Sequence, residues 1–120
     1  MNDQHTRHLE RRKYPRIDKR MTFELQIEDE AITAEMINLS INGAYCRVNK
    51  PLPLMASLKI VFVLVYGNDV DYVECEGVVV RVEEILPENK RYNIAIFFND
   101  IEVSEKKKIE SFIEKYQKNR

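Results

Sequence analysis

Two short segments carry residue types and spacings suited to ligand chemistry. The first is Arg11-Arg12-Lys13-Tyr14-Pro15-Arg16. A guanidinium is a planar fork that grips phosphate oxygens in pairs and stacks face-on against a base. In an extended segment the Arg-x-x-x-Arg spacing lets Arg12 and Arg16 meet different parts of one ligand, while Pro15 restricts the backbone between them. The second segment is Asn38-Leu39-Ser40-Ile41-Asn42-Gly43. On a strand running into a turn, Asn38 and Ser40 project to the same side. They present an amide and a hydroxyl, each able to donate and accept. Asn42-Gly43 tolerates the positive φ of a tight turn, and Gly43 leaves room for a ligand to approach. Each segment also has an ordinary reading: a solvated basic tail, and a hairpin turn whose polar side chains satisfy their own backbone.

The rest of the chain offers little for catalysis. His5 and His8 both lie near the N-terminus, ahead of any element that could hold an acid–base geometry. Neither a glycine-rich phosphate loop nor a nucleophile elbow is present. The carboxylates fall in solvent-facing clusters such as Glu28-Asp29-Glu30 and Glu83-Glu84. Cys46 and Cys75 sit in strand-like segments and read as small core hydrophobes. Two thiols without a nearby histidine fall short of the four ligands of a structural zinc. The expectation is a binding protein with no metal and no cofactor.

The positioning elements follow from periodicity. Residues 1–20 are polar and aperiodic, and read as a flexible arm; residues 21–120 form one domain, with no room in 120 residues for a second sizeable core. Phe23, Leu25 and Ile27 alternate with polar residues, the period-two signature of a half-buried strand. A turn at Asp29-Glu30, a strand over 31–39 and a turn over 40–43 follow. Ala44, Cys46 and Val48 then face one way, Tyr45 and Arg47 the other. Further strands are expected over 58–65, 72–84 and 92–98, with loops at Pro51 and Pro53, residues 67–69, and residues 87–90. Gly77, inside a strand, marks a bulge or a close backbone approach. Ile109, Phe112, Ile113 and Tyr116 are spaced i, i+3, i+4, i+7, which places them on one face of a helix over about 104–118. Ser104 is its expected N-cap. The pattern predicts a mainly-β fold: a six-stranded antiparallel barrel with one C-terminal helix and a basic N-terminal arm.

Charge is distributed unevenly. Residues 5–20 hold seven Lys and Arg against two acidic residues, a net of +5, whereas the whole chain carries −1 and the remainder therefore −6. A basic arm on an acidic body points to an anionic partner for the arm rather than to a general nucleic-acid surface. No apolar run reaches the roughly 20 residues of a membrane-spanning helix. With no secretory signal in the N-terminal residues, a cytoplasmic location is expected.

Taken in order, Arg12 and Arg16 followed by Asn38, Ser40 and Gly43 resemble the paired signature of PilZ domains, receptors for the bacterial second messenger cyclic di-GMP. The resemblance extends from about Glu10 through the strand pattern to the terminal helix. It implies that the arm folds over the ligand, its arginines meeting phosphate and guanine, while Asn38, Ser40 and the Gly43 backbone hold a guanine edge. Arg11 ahead of the spacing is compatible with capture of an intercalated ligand dimer, so the implied ligand is cyclic di-GMP as a monomer or as such a dimer. Asn42 and Arg81 join the implied site as lesser members, Arg81 standing where many relatives place a base-stacking residue. Asn38 replaces the more usual aspartate, and Ala95 stands where a glycine is frequent, a change expected to affect packing more than binding. The implied function is a switch whose arm movement is read by an unidentified protein partner, with neither DNA, RNA nor membrane as target. The alternative is a degenerate PilZ-like scaffold that binds only protein.

Overall fold

A computed structural model of the chain describes residues 21–118. The strands are β1 (Met21–Ile27), β2 (Glu30–Leu39), β3 (Gly43–Val48), β4 (Ser57–Tyr66), β5 (Asp69–Leu86) and β6 (Arg91–Asp100), followed by the helix α1 (Val103–Lys118). They close into an antiparallel barrel in the order β1-β2-β3-β6-β5-β4, with β1 meeting β4 at the seam. This is the architecture expected from the pattern. The basic arm lies outside the described residues.

Alternation places the core. Ala44, Cys46 and Val48 of β3 and Ile94, Ile96 and Phe98 of β6 are all buried, facing the inward side chains of the other strands. Cys46 and Cys75 belong to this core as free thiols. Their strands are not neighbours, since β6 runs between β3 and β5. Burial pushes the Cys46 thiol up to about 12. Burial, aided by the nearby carboxylates of Glu105, Asp100 and Glu76, does the same for Cys75. Both thiols are thus protonated and unreactive at neutral pH.

Three local expectations are corrected. The first hairpin turns at Glu28-Asp29 rather than Asp29-Glu30, because Glu30 pairs with Ile27 and Glu28 takes the positive φ (56°) of the two-residue loop. The helix is capped by Glu102, not Ser104: the Glu102 carbonyl accepts from the backbone N–H groups of both Glu105 and Lys106, at 3.0 Å each. Gly43 opens β3 instead of closing the turn, and neither it nor Asn42 adopts positive φ. Gly77 meets both expectations. The β5–β6 register shifts between Glu76 and Val78, and a Cβ at Gly77 would lie 2.7 Å from Ile96 Cγ2 and 3.0 Å from the Phe97 carbonyl.

The helix does more than cover the core with Ile109, Phe112 and Ile113. From Asp69 to Val78 β5 pairs with β4, but its pairing with β6 begins only at Glu76. The exposed edge of its first half is taken up by helix side chains. Glu105 Oε1 accepts from the Glu74 N–H (2.9 Å), Lys108 Nζ donates to the Tyr72 carbonyl (2.8 Å), and Lys115 pairs with Asp69 (3.0 Å). Side chains here stand in for a missing strand and blunt an edge that could otherwise pair with another chain. Among the described residues no helix is long and apolar enough to cross a membrane.

The backbone hydrogen bond from Glu74, followed by the bond to Lys108, holds the Glu105 carboxyl below its ordinary range. The charged form is favoured by folding, so its stabilisation is complete above the ordinary glutamate range and is lost as pH falls through the lowered value. Glu105→Gln is expected to cost about 1 kcal/mol at neutral pH. Thermal melts should show a midpoint lower by about 4 °C at pH 7, and a smaller gap from the parent protein when repeated in acid.

Candidate ligand-binding site

The outer face of β2, β3, β6 and β5 is organised by one irregularity in β2. Up to Met36 the inward residues alternate: Ile32, Ala34 and Met36 are buried. The β2–β3 register then shifts between Met36 and Asn38, with Ile37 as the extra residue. A bulge of this kind reverses the phase of the strand beyond it. Leu39 therefore enters the core, and Asn38 is placed outward, opposite Tyr45. Across the sheet Tyr45 pairs with Ala95, and Ala95 with Arg81. Asn38, Tyr45, Ala95 and Arg81 thus form one row over four adjacent strands.

The turn below this row is held by its own polar groups. Ser40 N–H donates to the Gly43 carbonyl (2.9 Å), and its Oγ accepts from the Asn42 N–H (3.2 Å) while lying 3.4 Å from the same carbonyl. The Asn42 carbonyl in turn accepts from Phe98 N–H at 2.8 Å, tying the turn to β6. Asn38 differs: its side-chain amide has no hydrogen bond to any described residue, which leaves a half-buried donor and acceptor available on the row. Gly43 is required by close approach. A Cβ there would collide with the Ile96 carbonyl of β6.

Beside the row runs a second one, Glu35, Arg47, Asn93 and Glu83, formed by the neighbouring pairs of the same strands. It makes a polar network that holds the first row in place. The Tyr45 hydroxyl donates to Glu83 Oε1 (2.5 Å) and accepts from Asn93 Nδ2 (3.2 Å). Asn93 Oδ1 accepts from Arg47 Nε (3.3 Å), and Arg47 reaches Glu35 at 3.8 Å. Arg81 lies 3.5 Å from Glu83, with its guanidinium carbon 5.6 Å from the Tyr45 ring centroid. Asn93 is buried although it faces outward, because these side chains cover it. Buried polar groups satisfied in this way fix orientation, and here the oriented group is the Tyr45 ring.

Of the residues singled out in the sequence, Asn38, Ser40, Asn42, Gly43 and Arg81 come together on this face. Arg11, Arg12 and Arg16 lie outside the described residues. Ala95 belongs to the outer row and not to the core, so its methyl borders the site rather than the packed interior. Tyr45, Asn93 and Glu83 escaped sequence reasoning as site residues. Alternation does put Tyr45 and Arg47 on one face of β3, but their partners depend on β6 running between β3 and β5.

A separate open groove of about 720 Å³ lies between α1 and the β4–β5 sheet. Its lining includes Glu74, Glu76, Asp100, Glu102 and Glu105 against Lys59 and Lys108. That sign of charge disfavours a phosphate ligand, and the groove shares no residue with the rows described above. Among the described residues no cluster of His, Cys, Asp or Glu could hold a metal ion.

Barrel, terminal helix and oriented polar face together define a small binding module. Over residues 10–115 the chain matches the PilZ domain family, and it belongs to that family. PilZ domains are receptor and adaptor modules rather than enzymes. No curated protein matches the chain. Among solved structures, the inhibitor of motility (MotI/DgrA) of Bacillus subtilis superposes with a TM-score of 0.77 at 22% identity, over 91% of this chain and 52% of that one. The PilZ domain of YcgR from Escherichia coli, solved with c-di-GMP, superposes with a TM-score of 0.61 at 12% identity, over 91% and 93%. For YcgR in complex with c-di-GMP the values are 0.59 and 11%, over 91% of this chain and 47% of that one. The chain therefore spans about half the length of the motility inhibitor and of YcgR.

Because the Gly43 contact is with backbone, it cannot be relieved by a side-chain rotation. Gly43→Ala is expected to destabilise the fold by about 2 kcal/mol or more, read as a loss of midpoint in urea unfolding at unchanged slope.

Proposed function

We propose that this chain is a cytoplasmic receptor module for cyclic di-GMP, and that movement of its basic arm on binding is read by a partner protein. The observation that carries this reading is where the arm joins the barrel. Met21 pairs with Met36, two residues from Asn38. Arg16 stands five positions before Met21, a reach of at most about 18 Å, and Arg12 nine positions before it, at most about 32 Å. Both arginines are thereby within range of the row on the outer face. Membership of the PilZ family and the fold shared with a c-di-GMP-bound PilZ domain support the choice of ligand.

In this reading Arg12 and Arg16 supply charge-assisted contacts to phosphate and guanine, offsetting the entropy of ordering the arm. Asn38 offers its unused amide to a guanine edge, the Ser40 turn and Gly43 shape the approach, and Arg81 lies at the far end of the row. Arg11 extends the basic segment towards a second, intercalated ligand molecule.

Isothermal titration with cyclic di-GMP in moderate salt should give a saturable heat at tens of micromolar protein. Its absence sinks the receptor reading and leaves a scaffold that binds only protein. Arg12→Ala and Arg16→Ala should each weaken binding about tenfold or more. Neither should change the unliganded stability, read from thermal melts, by more than about 0.5 kcal/mol; a lost fold would make the arginines structural instead.

A further inference from the structure

The groove between α1 and the outer face of β4 and β5 gathers like charges that the described residues do not neutralise. Its five carboxylates face only two amines, a net of −3. Of the amines, Lys108 is taken by Glu105 at 2.9 Å. Glu74, Glu76, Asp100 and Glu102 form no ion pair with a described residue. Their field reaches the groove floor, where Glu105, Asp100 and Glu76 add to burial in pushing the Cys75 thiol up to about 12. Val61 and Tyr72, 42% and 63% exposed, add apolar surface along the wall. A concavity of one sign attracts the opposite sign, and this one fits a segment that mixes several cations with a few apolar side chains.

The chain carries such a segment. Residues 5–20, outside the described residues, hold a net of +5 with Tyr14 and Ile17 among the bases. They join the barrel at Met21, the first residue of β1, and β1 lies between β2 and β4. On the β2 side Met21 pairs with Met36, towards Asn38. On the β4 side Glu24 pairs with Val61, and Val61 with Glu74. Glu74 is thus about 10 Å along the strand from Met21 and two strand spacings, about 10 Å, across from it. The reach of Arg16, about 18 Å, and of Arg12, about 32 Å, covers that distance as well as the way to Asn38. The same length of chain serves either face, and one arm cannot occupy both.

We propose that in the ligand-free protein the basic arm lies in this acidic groove, and that cyclic di-GMP binds by drawing it away to the face of Asn38. This rests on the receptor reading above and adds to it the place of the arm before binding. Exposed ion pairs are individually weak, so several charges share the contact and it remains reversible. Holding the arm in the groove lowers the apparent affinity for ligand in proportion to the fraction of arm left free.

The test uses the full chain with Leu9→Cys carrying a nitroxide, a paramagnetic probe twelve positions ahead of Met21. Cys46 and Cys75 are buried and escape the label. Without ligand, the amide NMR signals of Glu74, Glu76 and Glu105 should be broadened more than those of Tyr45 and Arg81. Saturating cyclic di-GMP should reverse that order, and raised salt should relieve the groove broadening. Glu74→Gln with Glu76→Gln should abolish it and, by isothermal titration of the unlabelled protein, lower Kd about three- to tenfold, a gain that misfolding cannot imitate. Glu110→Gln with Glu114→Gln removes the same charge from an exposed part of α1 outside the groove, and should bind within about twofold of the parent. Groove signals no more broadened than those of Tyr45 and Arg81, or a groove pair that binds no tighter than the helix pair, overturns the docking. A parent that does not bind cyclic di-GMP removes the receptor reading, while the broadening in the ligand-free protein still decides whether the arm lies in the groove.

Discussion

Pairing of β3 with β6 is the constraint on which the rest depends. It joins segments far apart in the chain, links the β1–β2–β3 half of the sheet to the β4–β5–β6 half, and presses the Gly43 backbone against the Ile96 carbonyl. Closure of the six antiparallel strands pairs every strand on both sides except the first half of β5, whose edge the helix side chains take up. The same pairing sets Tyr45 beside Ala95 and Arg47 beside Asn93. The joining of the two halves and the assembly of the polar face therefore rest on the same pairing, and the glycine that permits it also sits at the edge of that face.

The irregularities serve the site more than the core. The Ile37 bulge lets one strand change which face it shows, so that Met36 and Leu39 are both buried and Asn38 is carried outside. In β5, shifts at 76–78 and 79–81 accommodate Gly77 and bring Arg81 opposite Ala95. Without such shifts a strict period of two would send either an apolar residue outward or a polar one inward. The helix resolves a separate difficulty. It adds three buried residues to the core and occupies the part of β5 that no second strand reaches, leaving the outer face of β2, β3 and β6 uncovered by it.

Electrostatics divides the molecule along similar lines. Carboxylates line the groove by the helix, whereas the outer face of β2, β3, β6 and β5 is a balanced network of Glu35, Arg47, Glu83 and Arg81 around two neutral anchors, Asn93 and Tyr45. The strongly basic segment lies ahead of β1, and β1 enters the barrel beside the Asn38 end of the outer row. Glu83 is shared between the Arg81 guanidinium at 3.5 Å and the Tyr45 hydroxyl, so the two outer rows are joined at this carboxylate.

Much of the frame was legible in the sequence, because it is written in local periods: alternation in each strand, the 3.6-residue spacing of Ile109, Phe112, Ile113 and Tyr116, and the order of the two motifs. Motif and period are properties of neighbours along the chain, and a single sequence displays them directly. Gly77 was legible too, since a glycine inside a strand signals a bulge or a close approach. The cap at Glu102 and the role of Gly43 were not, for both turn on where a carbonyl points. The face itself was decided only by tertiary structure. Tyr45, Ala95, Phe97 and Arg81 are scattered over 53 positions, from 45 to 97, and become neighbours because β6 inserts between β3 and β5. Strand order is a property of the closed sheet, not of any one segment, and from it comes the outer face on which Asn38 and Arg81 stand in one row.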